Sequence, residues 1–209
     1  MVISYAITTH NETDSLEKLL RFLTKYKDEE DEIVVLDDYS DNERTKEILD
    51  FYVDVHQIKF EQRHLNKNFA EQKNYLTGMC SGDYIMNIDA DEIPHQTLMV
   101  YVKDVLKIND VELIWVPRVN TVEGITQEHI NKWGWRVNEK GWVNYPDYQA
   151  RVYKNVDHIK WVRPVHEYIE GAKTYSHLPP QEELSMYHPK TIDNQEKQNN
   201  LYNNIIGNM

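Results

Sequence analysis

The chain has 209 residues, enough for one domain with a full core, and carries 23 Lys and Arg against 35 Asp and Glu, a net charge of −12 that excludes nonspecific binding to nucleic acid. The single cysteine, Cys80, excludes an internal disulfide or a cysteine-rich zinc site and fits a reducing compartment. Met1-Val2-Ile3-Ser4-Tyr5 lacks the basic start and long apolar core of a signal peptide, and no apolar run reaches transmembrane length, so the expectation is a cytoplasmic chain without a membrane span.

Val2 to Thr8 reads as a first buried strand, followed by the polar loop Thr9-His10-Asn11-Glu12. Asp14 with Glu17 predicts a capping box, and Leu16, Leu19, Leu20, Leu23 and Tyr26 recur at helical spacing. Ile33 to Leu36 is a second apolar strand, ending in Asp37-Asp38-Tyr39-Ser40-Asp41. Ser40 with Glu43 predicts another capping box, opening a helix through Ile48, Leu49 and Tyr52. Ile58 and Phe60 suggest a short strand, Phe69 to Cys80 a helix stopped at Ser81-Gly82, and Tyr84 to Ile88 a strand buried on both faces.

The stretch Asp89-Ala90-Asp91-Glu92 stands where that strand emerges. Asp-x-Asp lets two carboxylates point to one side of an extended chain, and oxygen ligands of this kind suit Mg²⁺ or Mn²⁺. Polar clusters follow three strands, and in a parallel sheet all three share the edge where ligands bind. Seven glycines in the whole chain leave no Gly-rich phosphate cradle.

After Pro94 a helix is expected over His95 to Ile108, and a strand over Glu112 to Val116. Val119 to Tyr148 is aromatic without strong periodicity and reads as functional loops; its Trp133, Trp135 and Trp142 suit either core or a sugar platform. Tyr148 to Tyr153 and Ile159 to Val162 look like strands, and Asp193 to Ile206 has helical spacing. Arg151 and Arg163 fit either surface charges or phosphate contacts.

This series resembles glycosyltransferase family 2. The resemblance is carried by Asn11-Glu12, Leu36 to Asp41, Asn66 to Asn74, Asp83 to Glu92, Tyr145 to Tyr153, Val165-His166-Glu167 and Tyr187-His188-Pro189, nearly the whole chain. The later pieces are most similar to the branch that decorates lipopolysaccharide cores. The resemblance implies an α/β GT-A fold: a mostly parallel sheet flanked by helices, one domain with a nucleotide-sugar half over residues 1–94 and an acceptor half over 95–209. It implies a metal-dependent, inverting transfer from a nucleotide-sugar donor, with UDP favoured, to a glycan or related acceptor. Thr8, Asn11 and Glu12 would line the base and ribose pocket, Asp37 or Asp38 would accept from the base, and Lys73 would offset nucleotide charge. Asp89 would reach the ribose or the Mn²⁺ or Mg²⁺ ion, Asp91 would bind that ion, and His188 is a further candidate ligand. Glu167 is preferred over Asp147 as base, and His166 joins the tryptophans on the acceptor side. Tyr39 departs from the family pattern, which has a small residue there. A non-catalytic binding module on the same fold is the alternative.

Overall fold

The apolar runs of the first half become parallel strands of one sheet in a computed structural model that describes residues 1–206. In chain order these are β1 (Ile3–Thr9), α1 (Asp14–Tyr26), β2 (Glu32–Asp37), α2 (Glu43–His56), β3 (Lys59–Gln62), α3 (Phe69–Met79) and β4 (Tyr84–Asp89). There follow β5 (Ile93–Pro94), α4 (Gln96–Asn109), β6 (Leu113–Glu123), α5 (Gln127–Trp133), β7 (Val143–Lys154), β8 (Lys160–Val162), β9 (Tyr168–Glu170) and β10 (Tyr175–His177). The last elements are β11 (Met186–Thr191) and α6 (Ile192–Ile206).

Among the described residues the sheet runs in the order β3-β2-β1-β4-β7-β6-β11-β5, with β10 also on β6. The β3, β2, β1 and β4 pairings are parallel; β7 runs antiparallel between β4 and β6. The antiparallel β7 therefore starts at the carboxyl edge of β4, and this brings second-half residues to the acid stretch.

The two faces of the sheet have separate cores. On one face α1, α2 and α4 pack over Ile3, Tyr5, Ile7, Met86, Ile88 and Val116. Leu16, Leu19, Leu20 and Leu23 of α1 are all fully buried there, each side chain contributing about 1.5–3 kcal/mol. On the other face α3 and the β8–β9 hairpin cover Ala6, Leu36, Ile85, Leu113 and Tyr153. Strand alternation then decides what the acids face. Tyr84, Met86 and Ile88 point to the three-helix layer, so Asn87 and Asp89 share the α3 side with Ile85.

A register shift on β6–β7 matters for the same reason. Ile114 pairs with Val152 and Trp115 with Ala150, leaving Arg151 as the extra residue of a bulge. Bulges of this kind re-aim a side chain, and this one sends Arg151 toward Asn87 and Asp89.

Three local expectations give way. Thr13, not Asp14, occupies the cap of α1, and it makes no side-chain cap bond. Asn42 caps α2 by accepting from the Arg44 and Thr45 amides, because Ser40 is taken up by Asp37. The span 119–148 is not mostly loop: β6 runs on to Glu123, α5 forms under a Thr126–His129 capping box, and β7 begins at Val143. No helix among the described residues is long and apolar enough to cross a membrane.

Candidate active site

A cavity of about 580 Å³ opens at the carboxyl edge of β1 and β4, on the α3 side of the sheet. Thr8, Glu12, Asp38, Lys73, Asp89 and Asp91 line it from the first half of the chain. Trp135, Asp147, His166, Glu167 and His188 line it from the second. Asn11, Asp37, Trp133 and Trp142 do not line it. Trp133 packs on Trp135 and His129, and Trp142 on Tyr145.

The β1 and β2 loops are locked to each other. Asn11 adopts a left-handed φ of 64°, which Asn tolerates, and its side-chain oxygen accepts from the Asp41 and Asn42 amides at 3.0 Å. Asp37 is fully buried and accepts from the Ser40 amide, the Ser40 hydroxyl and Gln62. Those bonds fasten the loop, and the next residue, Asp38, faces the cavity. Asp38 accepts from the Leu65 amide at 2.9 Å and lies beside His10 and His64. Tyr39 stacks on His64, 4.1 Å between centroids. Glu12 accepts from the Thr9 hydroxyl and the His10 amide; burial raises its carboxyl above the usual range despite those bonds.

The floor is a ladder of alternating charges. Arg151 donates to Asp89 at 2.7 Å and to Glu92 at 2.5 Å. Arg118 donates to Glu92 at 3.0 Å and to Asp147 at 2.7 Å. Asn120 and Gln149 also donate to Asp147. Lys73, over the Trp161 ring at 4.5 Å, reaches Glu167 at 2.7 Å and Asp89 at 3.5 Å. Enclosure works to raise the Asp89 carboxyl, but Arg151 and Lys73 outweigh it and hold it well below the usual range. Asp147 is likewise lowered, with Arg118 overcoming the effect of burial. Glu92 and Arg151, the centre of this ladder, are 0% and 3% exposed.

Asp91 stands apart from the ladder and meets His188 at 3.2 Å. The hydrogen-bond pattern fixes what the imidazole offers. Asn120 uses its amide nitrogen on Asp147, so its oxygen accepts from His188 Nδ1–H at 2.7 Å. In that neutral tautomer His188 Nε2 presents a lone pair to the Asp91 carboxylate, unless a proton or a metal cation lies between them. A metal-binding histidine has this arrangement, its second nitrogen held by a carbonyl oxygen. Among the described residues no three His, Cys, Asp or Glu side chains form a cage. A cation here would therefore draw further ligands from substrate oxygens, as carboxylate-held metals at phosphates do.

Several residues of the cavity escape a reading of the sequence. Trp115 and Trp161 fall in stretches that read as ordinary strands, and Arg118 and Asn120 lie on β6 beyond the end of its predicted strand. Lys190 leaves a faint signal: it follows His188 by two residues on a strand, so both point to one side. Among the described residues Lys190 has no carboxylate within 4.0 Å; it donates to Gln198 on α6. Burial pulls its ammonium below the usual range, opposed by Asp91. Tyr202 of α6 closes the rim against Phe69 and His166.

No curated protein sequence matches the chain. Among solved structures, residues 1–349 of S. aureus TarS superpose with a TM-score of 0.63 at 16% identity, covering 98% of this chain and 64% of that one. The same protein in complex with UDP-GlcNAc superposes with a TM-score of 0.60 at 16% identity, covering 91% and 59%. The chain thus spans under two-thirds of the structures it matches, and the likeness establishes a shared fold. The family model described as Glycosyl transferase family 2 matches residues 4–176, which takes in the first-half acids, β6, β7 and Glu167. On that match the chain belongs to glycosyl transferase family 2.

Proposed function

We propose that the chain transfers a sugar from a UDP-sugar to a hydroxyl of a glycan or related acceptor, with inversion at the anomeric carbon. One observation carries this reading. The cavity holds a metal-type pair, Asp91–His188, and a carboxylate positioned by a lysine, Glu167–Lys73, and Lys73 also touches Asp89. The UDP-GlcNAc in the TarS complex supports UDP as the nucleotide.

Each residue then has a role that its surroundings allow. Thr8 and Asp38 receive the nucleoside, with Asp38 able to accept from a base N–H. Asn11 and Asp37 hold the loop that presents Asp38. Asp91 and His188 would hold a divalent cation, which would supply Lewis-acid stabilisation of the leaving diphosphate; the mixed carboxylate and imidazole pair favours Mn²⁺ over Mg²⁺. Lys190, without a carboxylate of its own, faces the same anion. Glu167 takes the proton from the acceptor hydroxyl as its oxygen attacks the anomeric carbon and the bond to the diphosphate oxygen breaks. Asp147 is a poorer base, because Arg118, Asn120 and Gln149 occupy both its oxygens.

The test is a thermal-shift panel of UDP, GDP, dTDP and CDP, each with and without Mn²⁺, on the wild type and Asp91→Ala. A ligand of the native state at a hundredfold excess over Kd adds about 2.7 kcal/mol of stability. The expected result is a shift for UDP that needs both Mn²⁺ and Asp91. No shift for any nucleotide would refute the proposal.

A further inference from the structure

We propose a second sugar-binding site on this chain: an outer subsite, built by Trp115, Tyr175 and His177, that stacks one pyranose ring of the acceptor glycan. It rests on the transferase reading and names the acceptor class for it.

The site is a groove of about 370 Å³ on the face of β6, a size suited to one small ring system. Strand register builds it. Parallel pairing sets Tyr175 beside Leu113 and His177 beside Trp115, and the i, i+2 spacing on each strand puts all four side chains on one face. Trp115 and His177 lie nearly parallel, 10° apart with centroids at 5.7 Å. Tyr175 stands across His177 at 80° and is 65% exposed. Ile169, Gly171 and Ala172 complete the lining, and Tyr148 packs edge-on against His177 with centroids at 5.0 Å.

The polar edges of these rings are unoccupied. Among the described residues Trp115 Nε1, Tyr175 Oη and the His177 ring nitrogens have no hydrogen-bond partner, whereas the buried Trp161 Nε1 donates to Tyr153. Flat apolar faces rimmed by free donors and acceptors match a sugar, which has apolar C–H faces and an equatorial ring of hydroxyls. No charged side chain lines the groove, which disfavours a phosphate or a peptide terminus.

Its location assigns it to the acceptor. Trp115 lines both this groove and the main cavity, so the two are neighbours across its side chain. Along β6 the path runs from Arg118, opposite Asp147, through Trp115, opposite Ala150, to Leu113, opposite Tyr153. That direction leads away from Asp89 and from the β1 and β2 loops assigned to the nucleotide. A glycan with its reacting hydroxyl near Glu167 would lay a more distant residue on the ring platform.

The test is saturation-transfer NMR with three probes, methyl β-D-glucopyranoside, methyl β-D-galactopyranoside and N-acetylglucosamine. It is run on the wild type, Tyr175→Ala and His177→Ala, with and without UDP and Mn²⁺ to fill the main cavity. The thermal midpoint of each variant verifies its fold. The expected result is transfer to at least one sugar that persists with UDP present and whose half-saturation weakens about tenfold in Tyr175→Ala. Transfer to none of the three sugars, or transfer undiminished in both variants, would overturn the subsite. Sugar binding at Tyr175 in a wild type that shows no UDP shift would instead refute the transferase reading and leave the groove standing.

Discussion

Arg151→Met removes the cation at the centre of the ladder and leaves two carboxylates facing each other. Glu92 has no exposed surface, and Arg151 is 3% exposed, so water cannot replace the lost partner. Breaking a buried ion pair by deleting one member costs about 3–5 kcal/mol. The low end applies, because Arg118 still reaches Glu92 at 3.0 Å and Lys73 still reaches Asp89 at 3.5 Å. For a chain of this length, a loss of about 3 kcal/mol lowers the midpoint by about 6–12 °C. Chemical denaturation of wild type and variant across pH measures it. The sign follows from Asp89, whose folded pKa is depressed. Its stabilising contribution is present above the unfolded value near about 3.9 and is lost as pH falls toward the folded one. The variant's deficit should therefore be full at neutral pH and shrink below about pH 4. Adding Glu92→Gln should restore part of the loss, since the pair acts as one unit. A deficit under about 1 kcal/mol at neutral pH, or one that grows as the solution is acidified, would refute the reasoning.

Three further outcomes are expected. Glu167→Gln should lower kcat by about 10²- to 10⁴-fold and also lower the thermal midpoint, because it leaves the buried Lys73 with Asp89 alone at 3.5 Å, whereas Asp147→Asn should act on stability through Arg118 with little loss of kcat; steady-state kinetics beside a melting curve separates them. Lys190→Met should weaken UDP by about tenfold while leaving uridine unaffected, a ratio that calorimetry reads directly and that a purely structural lysine would not give. Gly171→Ala should destabilise the β8–β9 hairpin, because its φ is +93° and a Cβ would lie 1.7 Å from the His158 carbonyl oxygen; hydrogen exchange on Trp161 and Ile169 amides would reveal it.

The order of strands and helices in the first half could be read from spacing because each element is strongly apolar on the side it buries. The acid stretch could be placed because only one edge of a parallel sheet collects strand ends. The choice between Asp37 and Asp38 could not be read. It depends on which way the chain turns after β2, and the bonds from Ser40 and Gln62 decide that in three dimensions. Arg151 was open between surface and site because the bulge that buries it appears only when β6 and β7 pair. The stretch 119–148 lacks a clean period for a similar reason. A second register shift between Arg118 and Asn120, and the left-handed Asn144, break the alternation. The tryptophans there drew attention by abundance, whereas Trp115 and Trp161, single rings inside ordinary strands, gave no sign of standing at the cavity.

The extra residue at Arg151 also divides β7 into two lengths that can diverge separately. Toward Lys154 the strand pairs with both β4 and β6 and serves the core; toward Val143 it pairs with β6 alone and carries the cavity wall. An insertion or deletion absorbed at the bulge would change the parity of one length and leave the other in place. Loss of one residue there would turn Asp147 and Gln149 to the opposite face and bring their neighbours inward, a wholesale exchange of the acceptor wall by a single codon. Relatives aligned across this position should therefore be compared in two blocks, with a gap permitted at Arg151 before any residue on either side is judged equivalent.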